Sequence, residues 1–84
     1  MRYEVVVERS AARRIERLPD QVKRRVVSAI QALSDAPRPD GCRKLKGYND
    51  RYRIRVGDYR VIYDVFDSRL VVIVIDAGHR GSIY

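Results

Sequence analysis

Arg53, Arg55 and Arg60 are the residues of this chain best suited to chemistry, because a planar guanidinium presents a fork of donors that fits phosphate. Their spacing says where they go. Arg51-Tyr52-Arg53-Ile54-Arg55-Val56 alternates charge and apolar bulk with period two, the pattern of a half-buried strand. Gly57-Asp58 then supplies a two-residue turn with a leading glycine, and Tyr59-Arg60-Val61-Ile62-Tyr63 continues as a second strand. In such a hairpin Val56 faces Tyr59, Arg55 faces Arg60 and Arg53 faces Ile62. Arg55 and Arg60 become a non-hydrogen-bonded pair with Cα atoms about 4.5 Å apart. Like charges so placed cost roughly 0.2–1 kcal/mol. A local rule broken without visible compensation points to a functional demand, and a polyanion is the partner that would relieve it. The ordinary alternative is a solvated strand face, on which arginine is common.

The elements that must hold this hairpin fit a small domain. Eighty-four residues allow one core, so residues 1–84 are expected to form a single domain. An apolar content of 45% argues against disorder. A net charge of +7 favours an acidic partner: nucleic acid, an anionic membrane or an acidic protein. Three of the eighteen basic residues are lysines and the others are arginines, a bias suited to bidentate phosphate contact. Cys42 is the sole cysteine, so no internal disulfide can form and a reducing cytoplasm is the expected location. It follows a turn and suits a small filler better than a nucleophile paired with His79. Arg2, Glu4 and Glu8 interrupt the first apolar run, which is no signal peptide. The longest apolar run, Leu70 to Ile75, is too short to span a bilayer.

Tyr3 to Val7 predicts a first strand. Ser10 is placed to cap a short helix over Ala11 to Leu18, ended by Pro19, and Asp20 to cap a second. Val22, Val26, Ile30 and Leu33 form the apolar stripe of that second helix. Arg13, Arg14, Arg17, Lys23, Arg24 and Arg25 fall on the outer faces. Ala36 to Gly41, with two prolines, is a connector. Arg43-Lys44-Leu45-Lys46-Gly47 follows as a short strand or an extended basic loop. Leu70 to Ile75 predicts the last strand, and Asp76 onward a loop or short edge extension. The expected class is α+β, a two-helix hairpin on one face of a twisted antiparallel sheet in the order βααβββ. Tyr52, Ile54, Val56, Val61, Tyr63 and Val65 would face the helices, leaving Arg53, Arg55 and Arg60 on the bare face.

Lys44-Leu45-Lys46-Gly47, the run Tyr52 to Tyr63, Gly78-His79-Arg80 and the closing Tyr84 resemble the RelE branch of the RelE/ParE toxin superfamily across nearly the whole chain. The resemblance implies the toxin of a type II toxin–antitoxin pair. It would be a ribosome-dependent endoribonuclease that cuts mRNA in the A site and inhibits translation. The 2′-hydroxyl of one nucleotide would attack the adjacent phosphate, leaving a 2′,3′-cyclic phosphate and a 5′-hydroxyl. Carried over residue by residue, the catalytic group is Arg53, Arg55, Arg60, Arg80 and Tyr84. Arg43, Lys44, Lys46 and Arg51 would help bind RNA. The implied partners are a RelB-like antitoxin in a hetero-oligomer, the ribosome and mRNA, with no membrane, metal or cofactor.

The residues themselves limit that scheme. Arg55 and Arg60 suit stabilisation of the phosphoryl oxygens. Arg80 could neutralise the leaving oxygen but is a poor proton donor. Family members commonly carry lysine where this chain has Arg53 and Arg55, and arginine cannot act as a base. The base is then Tyr84 or His79. Two alternatives remain: a ParE-like toxin that poisons DNA gyrase without nuclease activity, and a non-catalytic RNA-binding module.

Overall fold

Hydrophobic alternation along four chain segments builds one sheet, and the computed structural model describes it over residues 2–81. In chain order the elements are β1 (Glu4–Val7), α1 (Arg9–Glu16), α2 (Asp20–Ala32), β2 (Arg43–Lys44), β3 (Arg51–Val56), β4 (Tyr59–Phe66) and β5 (Val71–His79). The five strands lie in the order β1-β5-β4-β3-β2. The three pairings from β2 to β5 are antiparallel, whereas β1 runs parallel to β5. The sheet is therefore mixed, which corrects the expected all-antiparallel arrangement. Short turns dictate the antiparallel neighbours, but nothing local to Tyr3–Val7 encodes a partner more than sixty residues away. The extra short strand is real: it is β2.

Gly57 carries the central hairpin. Its φ of 62° lies in the left-handed region while Asp58 stays at negative φ, as a turn with leading glycine requires. On one sheet face Ile54, Val56, Val61, Tyr63, Val65, Val72, Val74 and Ala77 pack against Ala11 and Ile15 of α1 and Val26, Ile30 and Leu33 beyond. Val74 and Ala77 differ in parity, yet both are buried. A β-bulge reconciles them: Ile62 pairs with Asp76 and Tyr63 with Val74, so Ile75 is the extra residue. Strand β5 then continues to His79, correcting the expectation that it would end near Ile75.

The helix starts also differ from expectation. Glu8 N–H bonds the Val74 carbonyl at 2.9 Å, which holds the chain in the sheet until α1 begins at Arg9. Glu8 is thus the N-cap residue, with no side-chain cap, and Ser10 lies inside the first turn. Pro19 occupies the corresponding position of α2, leaving Asp20 in the first turn, where its charge still favours the helix dipole. The connector is pinned from both sides. Tyr63 Oη donates to the Pro37 carbonyl at 2.7 Å, and Arg38 makes a two-pronged ion pair with Asp67 at 3.1 and 2.8 Å. Tyr3 Oη donates to the same carboxylate at 2.6 Å. Cys42 packs against the core as a filler.

Candidate nucleic-acid interface

Period-two alternation turns Arg51, Arg53 and Arg55 away from the helices, because Ile54 and Val56 are buried on the helix side. The hairpin register is the expected one: Val56 opposite Tyr59, Arg55 opposite Arg60 and Arg53 opposite Ile62. Arg43 of β2 lies opposite Arg53. Arg60 lies opposite Gly78, which contributes no side chain of its own. Directly opposed residues share a sheet face, so Arg43, Arg53, Arg55 and Arg60 line one surface. Arg80 donates its backbone N–H to the Asp58 carbonyl at 3.0 Å, which brings it to the hairpin tip beside the Arg55–Arg60 pair.

Two members of this row, Arg53 and Arg55, have no carboxylate partner among the described residues. The Nε of Arg53 is buried without a hydrogen-bond partner, and the Nε of Arg60 is buried as well. A buried donor left unsatisfied costs about 1–3 kcal/mol. Acceptor oxygens of a bound anion are the chemistry that would remove that cost.

Other expected site residues lie elsewhere. His79 is opposite Tyr59 on the helix side, with its ring edge-on to Tyr59 at 5.4 Å and 89°. It borders a cleft with Arg17, Leu18 and Pro19, across the sheet from the arginines. Gly81 N–H donates to its Nδ1 at 3.3 Å. Lys44 pairs with Tyr52 and so belongs to the helix side too. Lys46 is exposed in the loop after β2. Tyr84 lies outside the described residues.

Arg51 is on the arginine face but committed to a neighbour. Its Nε and Nη2 contact Asp64 Oδ1 and Oδ2 at 2.8 and 3.1 Å. Those bonds to Asp64 hold the Arg51 guanidinium above its ordinary pKa. The same group lies 4.4 Å from the centroid of the half-exposed Tyr48 ring. Beside this stack is a hollow of about 350 Å³ with Ile62 and Ile75 at its base. Leu45, Tyr48 and Arg51 line one side, and Glu8 and Asp76 the other. Asp76 is engaged by Arg14 Nη1 at 2.9 and 3.2 Å and by the Ala77 N–H at 2.8 Å. The Arg51–Asp64 pair was readable in advance, since the register that opposes Arg55 and Arg60 also opposes these two. Tyr48 and the Asp76 wall carry no such sequence signal.

Among the described residues no group of three or more His, Cys, Asp or Glu side chains could hold a metal ion. No described helix is long and apolar enough to cross a membrane.

Residues 5–84 match the family described as the ParE toxin of type II toxin–antitoxin system, parDE. Among curated proteins the chain is similar to the mRNA interferase toxin RelE of Escherichia coli K12, 29% identical over 82 residues, covering 95% of this chain and 85% of that one. Among solved structures it resembles the archaeal RelE–RelB complex of Pyrococcus horikoshii, with a TM-score of 0.85 and 32% identity over 98% of this chain and 99% of the other. The RelBE2 toxin–antitoxin complex of Mycobacterium tuberculosis aligns with a TM-score of 0.84 and 25% identity, covering 98% and 95% of the two chains.

Proposed function

Because this chain belongs to the ParE toxin family of type II toxin–antitoxin systems, we propose that it is an mRNA interferase of the RelE kind, an endoribonuclease that cuts mRNA held in the ribosomal A site. The observation that carries this reading is the Arg55–Arg60 cross-strand pair, with Arg53 and its unsatisfied buried Nε on the same face. In the proposed reaction a 2′-hydroxyl loses its proton and its oxygen attacks the adjacent phosphorus. The bond to the 5′-oxygen breaks, and that oxygen takes a proton from solvent as it leaves. Arg55 and Arg60 hold the phosphoryl oxygens where negative charge grows, and fixed cations there supply a large part of catalysis. Arg53 grips the same linkage, and Arg80 at the hairpin tip neutralises the leaving oxygen.

Tyr84 is assigned as the base. A tyrosine of ordinary pKa near 10 gains acidity beside cations that favour phenolate. His79 is left out of the reaction because its cross-strand partner is Tyr59, on the helix side. A guanidinium cannot serve as the base, so alignment of the RNA by the ribosome has to supply much of the rate. The expected partners are a RelB-like antitoxin, forming a hetero-oligomer, and the translating ribosome in the cytoplasm. Both solved relatives described above are toxin–antitoxin complexes, which supports the first.

Mapping mRNA 5′ ends on programmed ribosomes tests the reading. The purified chain should cut within the A-site codon and cleave free RNA poorly. Arg60→Ala should slow the cut by about 10²- to 10³-fold, the usual effect of removing one donor to developing charge. The family description also names ParE. Intact mRNA together with gyrase-dependent DNA breaks would overturn the nuclease in favour of that alternative.

A further inference from the structure

We infer that the hollow beside the arginine row seats one nucleobase of the bound RNA, stacked on Tyr48, with its amino-bearing edge toward Glu8; this rests on the reading of the chain as an RNA-cutting toxin. Continuity with the arginines is the first ground. Ile62 at the base of the hollow is the cross-strand partner of Arg53, so a nucleotide whose phosphate lies on Arg53 and Arg55 has its base within reach. The second is an immobilised aromatic ring. Tyr48 is 50% exposed, and the Arg51 guanidinium, itself fixed by Asp64, covers one face of its ring at 4.4 Å, leaving the other for a base. An aromatic ring held this way loses little freedom when a base stacks on it, and stacking on an aromatic or guanidinium plane is how single strands are commonly held. At about 350 Å³ the hollow is of small-molecule size.

Charge sets the orientation. The far wall carries the exposed Glu8 carboxylate, which repels phosphate, beside an Asp76 whose charge is offset by Arg14. The backbone is therefore kept on the arginines while the base points inward. Asp76 is occupied by Arg14 and the Ala77 N–H. The exposed Glu8 carboxylate makes no hydrogen bond or ion pair to a described residue. A carboxylate only accepts. Bases with an exocyclic amino group satisfy it, whereas uracil presents carbonyl oxygens on either side of its single N–H and is disfavoured.

The test uses the full chain and two probes, hexameric oligo(A) and oligo(U) RNA, with the Tyr48 ring protons followed by NMR. Oligo(A) should shift those resonances upfield and bind more tightly than oligo(U). Tyr48→Ala should weaken oligo(A) binding about 5- to 160-fold, the range of one lost base stack, and Tyr48→Phe should restore it. Glu8→Gln should narrow the preference for oligo(A), since an amide donates as well as accepts. If the wild-type chain cuts mRNA on ribosomes while the Tyr48 ring is unmoved and Tyr48→Ala binds and cuts normally, the base seat is overturned and the nuclease stands. A ring shift without any cutting would uphold the seat and overturn the nuclease.

Discussion

Arg55 is the side chain at which the proposed role can be weighed against stability. It faces Arg60 across the hairpin, makes no ion pair to a described residue and is exposed, so its charge does nothing for the fold. Replacing it with threonine, a good strand former, should raise stability by about 0.2–1 kcal/mol in urea unfolding while cutting slows. A fall in stability would show that the repulsion is already compensated. The acid–base assignments separate just as cleanly. Tyr84→Phe should cost orders of magnitude in A-site cutting, and His79→Ala should leave the cut within a few fold, read from mRNA 5′ ends. The arginines were legible because period two and a glycine turn fix both face and register. His79 was not, because the Ile75 bulge reverses the parity of everything after it and sends residue 79 to the helix side.

At the scale of elements, the β3–β4 hairpin is held at its base by Arg51–Asp64, with side chains 29% and 17% exposed. That exposure lies between surface pairs, worth little, and buried ones, costly to break. Asp64→Asn should therefore destabilise the fold by about 1–3 kcal/mol in urea. The same change should loosen Tyr48, seen as broadening of its ring signals. Both hairpin strands, the two helices and the helix-facing residues follow from alternation and from proline and glycine punctuation. The parallel β1–β5 pairing does not, since long-range partners leave no local trace. Nor do the starts of α1 and α2. Ser10 and Asp20 are good caps by type, but sheet hydrogen bonding through Glu8 and the position of Pro19 moved each helix start one or two residues earlier.

At the scale of the whole molecule, Asp67 makes a solvent-screened contribution to acid stability. The Arg38 guanidinium and the Tyr3 hydroxyl hold its carboxyl below the ordinary range. A depressed folded pKa gives stability that is fully present above the unfolded value, near 4, and is lost as pH falls through the folded one. Urea midpoints measured from pH 6 to pH 2.5 should fall as the pH drops below 4. In Arg38→Ala that slope should flatten, because the carboxyl loses its strongest partner. An unchanged slope would assign acid unfolding to other carboxylates.

The place of β5 in the sheet has a consequence for how the protein comes into being. It is the last described strand in chain order, yet it sits between β1 and β4, and α1 rests on it. Synthesis proceeds from the N-terminus, so a growing polypeptide has the arginine hairpin before it has the strand that unites the two halves. Gly78 and Arg80, which border the Arg60 side of that hairpin, emerge later still. The sheet therefore cannot close until β5 is made, and β1 and β4 each lack a neighbour until then.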